Sequence, residues 1–375
     1  DRIDYIVITK GTPLAADYGF STGPLSVTSI LTCLDEPDRT SYLYNPYGPV
    51  LGPATPTAFS HKLDLGGKHL YLVTRLDAYT VQEVHEMIDR SLAASPHGPI
   101  LLDATSGSGV LDTRLADANS FLTSIGIPTI YDKTSAFLGN YSGLMGYFSW
   151  GSNDGSYTHE AYTSNTFVPG SIADTFVSSS GRTFNPTTGG QSLVADLITQ
   201  GACGVNGYVS EPYQAYSTYP KVLFDRYTSG FNLAESFYAA TPLLFWKSVV
   251  IGDPLMAPYA TAPTVTLELP AMPLTGVATM KATATDPDGI AHVSFYFDGD
   301  FIGTVHQPPY TVTVDTTAYA VGIHKVKAIA VDASPVATEG STTLPAVVYN
   351  EVSTLRVISD AFENEDSQTV RTLPK

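Results

Sequence analysis

Trp150, Ser152, Asn153 and Asp154 follow the apolar run GYFS, Ser178, Ser179 and Ser180 follow DTFV, and Glu211 and Tyr213 follow GYV. Lys10 and Thr12 come after IDYIVIT, and Asp103 after ILL. Each group stands where a short buried strand runs out, so neighbouring strands would gather them at one sheet edge, where open α/β sheets form their pockets. Grouped carboxylates with carbonyl and hydroxyl oxygens suit calcium or magnesium. An exposed indole among tyrosines suits stacking against a sugar ring or a peptide. Lys10, Asp103, Trp150, Ser152, Asn153, Asp154, Glu211 and Tyr213 therefore form the candidate binding crevice. The same residue types also end strands because they make turns, which gives them an architectural reading as well.

Nucleophilic chemistry has less to draw on. A thiol is a poor nucleophile until a neighbouring imidazole accepts its proton. Cys33 and Cys203 sit among apolar or small residues, and Cys203 begins a strand rather than ending one. Both read as buried thiols, and whether they pair is left open. His159 lies in a polar loop ten residues past Ser149, while His61, His69, His85 and His97 lie away from that edge. No HxxxH or CxxC spacing indicates zinc, and the Gly-rich TSGSG at 105–109 lacks the lysine of a phosphate loop. Asn140-Tyr141-Ser142 fits a glycosylation acceptor.

The elements that must position these residues are legible as alternating strands and helices. Strands are expected at Tyr5–Thr9, His69–Val73, Pro99–Leu102, Thr129–Tyr131, Leu144–Ser149, Thr175–Ser178, Cys203–Val209 and Ser248–Ile251. Helices are expected at Val81–Ala94, Gln191–Thr199 and Asn232–Ala240. In the first, Val84, Met87, Ile88 and Leu92 share a stripe, with Thr80 as N-cap and Glu83 completing a capping box. This alternation predicts a mainly parallel sheet with helices on both faces. After Ala260 the helical period disappears. TDPDG, the hairpin around Asp298-Gly299 and the run HKVKAIAVD place turn signals about every ten residues, which predicts a β-sandwich. The domain boundaries read 1–260, 261–350 and an acidic tail at 351–375. Asp286 and Asp288 are the candidate calcium ligands; no other cofactor is expected. The tail, with little to bury, is expected to be disordered or docked on a partner.

With 375 residues the chain exceeds what one core usually organises. Its net charge of −17 argues against nucleic acid as a partner, and 15% charged residues is low for a soluble protein. The composition reads as exported or surface-facing, and no run of apolar residues is long enough for a membrane span. A strand beginning within three residues of the N-terminus reads as a precursor from which an earlier segment was removed.

Four pieces, IDYIVITKGTPL, YLVTRLDAYTVQEVHEMIDRSLAA, GLMGYFSWGSNDGSY and YVSEPY with TSGFNLAESFYAATPLLFWKSVVIGDPL, resemble gingipain-type cysteine peptidases of the caspase-like fold. The resemblance is closer still to an uncharacterised family of exported bacterial proteins related to them. It implies a dyad in which one strand ends in His-Gly and the next in Cys. At those positions this chain carries Trp150 and Ser178 or Ser179. Gly252-Asp253-Pro254 matches the family's closing turn. Residues 262–350 resemble the bacterial immunoglobulin-like modules that follow exported enzymes. Together these imply a secreted or cell-surface protein, non-catalytic, that recognises extracellular proteins or polysaccharide or serves in a surface assembly through its immunoglobulin-like module and tail. The alternative is a cysteine endopeptidase or other hydrolase with a constellation drawn from Cys203, His159, Asp154 or Glu211.

Overall fold

A computed structural model describes residues 3–36, 38–50, 59, 69–187 and 189–350. The chain divides into two compact units, Asp1–Ala260 and Thr261–Lys375. His61 and the acidic tail lie outside the described residues.

The first unit is built on eight strands: β1 Tyr5–Thr9, β2 Leu72–Leu76, β3 Ile100–Asp103, β4 Thr129–Asp132, β5 Leu144–Ser149, β6 Phe167–Thr175, β7 Gly204–Tyr208 and β8 Ser248–Gly252. They lie in the order β1-β2-β8-β7-β6-β5-β3-β4. Parallel pairing dominates, and β7 meets β8 in antiparallel register, Gly204 opposite Gly252. Both faces are covered, which is why the central strands read as continuous apolar runs. Ile100, Leu102, Phe148 and Ile172 enter one core with the helices Val110–Ser124, Pro220–Thr228 and Leu233–Ala240. Leu101, Tyr147, Ala173 and Val205 enter the other, under Val81–Leu92 and Val194–Thr199. Gly204 is required by close approach, because a Cβ there would stand 2.1 Å from Leu233 Cδ1.

The capping box stands as expected: Thr80 Oγ1 accepts from Glu83 N at 3.2 Å, and Thr80 N donates to Glu83 Oε2 at 2.7 Å. Four expectations are corrected, two of them in bounds: the strand expected at His69–Val73 spans Leu72–Leu76, and the helix expected at Gln191–Thr199 spans Val194–Thr199. Leu92 is 80% exposed, and Ser91 takes the buried place on that stripe, its hydroxyl donating to Met87 O. The strand expected at Thr175–Ser178 instead spans Phe167–Thr175, because its pairing with β5 begins at Phe167 opposite Leu144. Ser178 and Ser179 consequently belong to the turn beyond it. The helices Val110–Ser124 and Pro220–Thr228 were not anticipated; the first buries a narrow stripe of Leu111, Leu115, Ala118 and Leu122 between polar residues.

Among its described residues the second unit has seven strands, β9 Thr264–Glu268, β10 Val277–Thr285, β11 Ile290–Phe297, β12 Asp300–Val305, β13 Tyr310–Asp315, β14 Gly322–Asp332 and β15 Glu339–Val348. They form two antiparallel sheets, β9-β10-β13 and β12-β11-β14-β15. Period-two alternation sends Met280, Phe295, Val326, Ala328 and Ala346 into one core. Asp298 and Gly299 both have positive φ, 52° and 94°, the backbone a two-residue hairpin of this hand requires. Asp298 Oδ2 accepts from His324 Nδ1 at 2.6 Å, and His324 Nε2 bonds Ala320 O at 2.8 Å. With acceptors facing both ring nitrogens, first the Asp298 carboxylate and then the Ala320 carbonyl raise the His324 pKa.

Candidate functional site

The ends of β5, β6 and β7 converge on a cleft of about 130 Å³ lined by Leu111, Trp150, Asn153, Phe176, Ser178, Glu211, Pro212, Gln214 and Ser217. Four residues singled out from sequence, Trp150, Asn153, Ser178 and Glu211, thus meet in one place. Trp150 was expected to stand exposed for stacking, and this is corrected. Its indole is only partly exposed, packs edge-on against Phe176 with ring centroids 5.8 Å apart, and donates Nε1–H to Asp112 Oδ1 at 2.9 Å. A partly buried indole needs a partner for its N–H, and Asp112 provides one.

Asp112 is the organising residue that sequence reasoning missed. Buried at the start of Val110–Ser124, it also accepts from Thr105 N and Thr105 Oγ1, both at 3.0 Å, and from Gly109 N at 3.3 Å. A carboxylate in the first turn of a helix is favoured by the unpaired amides there. The available signal was Asp112 three residues beyond Gly109. Arg114, two residues further, is also buried, and its guanidinium is met by carbonyl oxygens. Its guanidinium donates to Gln214 O at 3.2 Å, Ala215 O at 3.3 Å and Ser217 O at 3.1 Å, and lies 3.8 Å from the centre of the Tyr219 ring. Those bonds fix the outer wall of the cleft.

Below the floor runs a buried polar network. Asp174 accepts from Thr175 N at 2.7 Å and Asn206 Nδ2 at 3.0 Å, Asn206 Nδ2 also reaches Thr218 Oγ1, and Ser248 Oγ donates to Asn206 Oδ1 at 2.5 Å. Burial pushes the Asp174 carboxyl up to about 7 despite these bonds.

The other candidates surround the cleft or lie away from it. Ser152 Oγ accepts from Ser192 N at 2.9 Å, and Ser179 Oγ donates to Gln191 Oε1 at 2.7 Å, so both hydroxyls are engaged in holding the 189–193 segment. Tyr213 adopts φ 65° and leans on Trp246, with its amide held by Glu211 Oε1 at 2.8 Å. Asp103 is buried; Oδ2 accepts from Leu138 N at 2.9 Å while Oδ1 has no protein partner. Burial first, then the charges of Asp154 and Asp132, raise it to about 7 against the pull of the Leu138 bond. Asp154 turns to Ser156 N at 2.7 Å. Lys10 does not join the cleft. β1 is five strand spacings from β5, about 24 Å at roughly 4.8 Å each, and its ammonium is taken by Ala78 O and Phe184 O with Asp77 at 3.6 Å.

No imidazole or thiol is among the lining residues of the cleft. Cys33 and Cys203 are free and buried, and Gly170 N donates to Cys203 Sγ at 3.2 Å. Both thiols are expected to resist a water-soluble disulfide reagent in the native state and to react, two per chain, once the chain is unfolded. A native count above zero would mean that the core opens. His159 shares a separate hollow with Ser192 and Asp196. No relay connects them there: the ring faces Tyr157 OH at 3.5 Å, Ser192 Oγ donates to Ser152, and Asp196 accepts from Tyr79 OH at 2.6 Å.

In the second unit the expected Asp286 and Asp288 gain a third member, Asp332, with carboxylate oxygens within 4.8 Å of one another. Asp286 Oδ1 accepts from Asp288 N, and Asp332 Oδ1 accepts from Ser334 N, Ser334 Oγ and Thr338 N. One oxygen of Asp286 and one of Asp332 are thus used in fixing two turns, while Asp286 Oδ2 is buried with no hydrogen-bond partner.

Residues 263–328 match the bacterial Ig domain family. No curated protein matches the chain. Among solved structures, the fibronectin(III)-like modules of Clostridium thermocellum CbhA are 25% identical over 29% of this chain and 54% of theirs, with a TM-score of 0.22. The chain therefore spans about half the length of that structure. The PKD1 domain of the Vibrio cholerae metalloprotease PrtV is 20% identical over 24% of this chain and 98% of its own, with a TM-score of 0.19. The spore cortex lytic enzyme SleM of Clostridium perfringens is 8% identical over 73% of this chain and 78% of its own, with a TM-score of 0.23. Among the described residues no helix is long and apolar enough to cross a membrane.

Proposed function

We propose that this chain is an exported, non-catalytic protein of gingipain-like ancestry that serves in extracellular recognition or in a surface assembly. The observation that carries the reading is the cleft at the ends of β5 and β6. It is bounded by an indole tied to Asp112 and by the Ser178 turn, and Glu211 is the one titratable side chain in its lining. A cysteine or serine nucleophile needs a base within hydrogen-bond reach, and among the described residues neither the Ser178 nor the Ser179 hydroxyl is hydrogen-bonded to one. What remains is a small polar receptacle with one carboxylate, suited to holding a hydroxyl- or amide-bearing group. The bacterial Ig-domain match of residues 263–328 supports an external setting.

The test is hydrolysis of a broad peptide library by the full chain, with and without iodoacetamide. No thiol-dependent turnover is expected. Turnover abolished by iodoacetamide, or by Cys203→Ala in a chain that still folds, would establish the peptidase alternative instead.

A further inference from the structure

The outer face of the sheet β12-β11-β14-β15 carries a hollow of about 570 Å³ lined by Tyr296, Asp298, Gly299, Lys325, Lys327, Ile329 and Thr343. That volume lies within the range of small-ligand sites. Alternation along β14 buries His324, Val326 and Ala328 and turns Lys325, Lys327 and Ile329 outward. Register then sets a row across all four strands: Phe301 lies opposite Tyr296, Tyr296 opposite Lys327, and Lys327 opposite Thr343. Phe301 is 61% exposed and meets the Tyr296 ring edge-on at 5.7 Å. At roughly 4.8 Å per strand the row is about 14 Å long.

Its charge is also set apart. The segment 261–350 contains three lysines, Lys281, Lys325 and Lys327, and no arginine, in a chain of net charge −17. Lys281 pairs with Glu268 at 2.8 Å. Among the described residues neither Lys325 nor Lys327 has a carboxylate at ion-pair distance, and the one carboxylate in the lining, Asp298, is engaged by His324 Nδ1 and Lys325 N.

We infer that this face binds an acidic polysaccharide, with uronate carboxylates on Lys325 and Lys327 and the apolar C–H face of a sugar ring on Tyr296 and Phe301. Exposed ammoniums that lack an internal partner keep their attraction for a ligand anion, and an aromatic platform adds contact area that needs no particular charge. The chain's overall negative charge opposes this only weakly beyond a Debye length of about 8 Å at physiological salt. A peptide strand is less well matched. Extended peptides gain affinity by pairing with a sheet edge, whereas this row runs across the strands and presents side chains.

The inference deepens the recognition reading by naming a ligand class, and it is tested apart from it, because a positive peptidase assay would leave this measurement unchanged. Binding of the full chain to polygalacturonate is measured by calorimetry beside neutral dextran and poly-L-glutamate. Polygalacturonate is expected to bind, dextran not to, and poly-L-glutamate at least tenfold more weakly. The double variant K325Q/K327Q and, separately, Y296A are each expected to raise the Kd for polygalacturonate at least tenfold while leaving the native circular dichroism unchanged. Absence of polygalacturonate binding, equal binding of poly-L-glutamate, or variants that bind as the parent does would each overturn the inference.

Discussion

Asp112→Ala is expected to destabilise the first unit by about 2 kcal/mol, because each buried donor left unpaired costs roughly 1 to 3 kcal/mol and the four donors here are partly buried. The carboxylate, itself 3% exposed, serves Thr105 N, Thr105 Oγ1, Gly109 N and Trp150 Nε1 at once. Urea unfolding followed by tryptophan fluorescence checks this. The native emission is also expected to shift, since the Trp150 indole loses its partner. Asp112→Asn keeps Oδ1 as an acceptor for three of the four donors and loses the Oδ2 acceptor of Gly109 N, so a smaller loss is expected. A midpoint equal to the parent's for Asp112→Ala would show that the cleft is held by packing alone.

Stability is expected to fall as pH rises from about 4 to 7. Asp103 and Asp174 are both buried with carboxyls raised to about 7, against an ordinary value of 3.8. The unfolded chain therefore releases these protons first. Between the two values the folded state holds more protons, so the contribution present at low pH is lost as the pH climbs and is gone above the folded pKa. A rise of that size corresponds to about 4 kcal/mol per group as an upper scale. Thermal unfolding across pH 4 to 8 measures the slope. Asp103→Asn removes one titration, keeps an acceptor for Leu138 N and gives the unpartnered Oδ1 position to an uncharged group, so it is expected to flatten the profile and raise the Tm at pH 7. A parent profile with no slope in that window would contradict the assignment.

How far the sequence could be read depended on the range of the interaction that fixes each feature. β1, β3, β4, β5, β7 and β8 fall within two residues of expectation, because each is a short apolar run closed by turn formers, and β3, β5, β7 and β8 are buried along their whole length. The Thr80 cap is equally local, with its partner three residues away. β6 was placed late because Phe167–Gly170 gains strand geometry from pairing with β5, and PG within a run reads as a turn. The cleft was legible as an edge of polar residues, but its organiser was not: Asp112 reaches Trp150 across 38 positions. Lys10 was grouped with the crevice because strand order, which carries β1 away, leaves no mark in residue type. Asp332 joined Asp286 and Asp288 through a turn packed on another turn, again beyond any local pattern.

The way Arg114 holds the 214–217 segment has a further consequence. The rim is anchored to a cation through peptide carbonyls, and neither a guanidinium nor a carbonyl changes protonation in ordinary media. A change in the acidity of the medium would thus leave the mouth of the cleft the same shape.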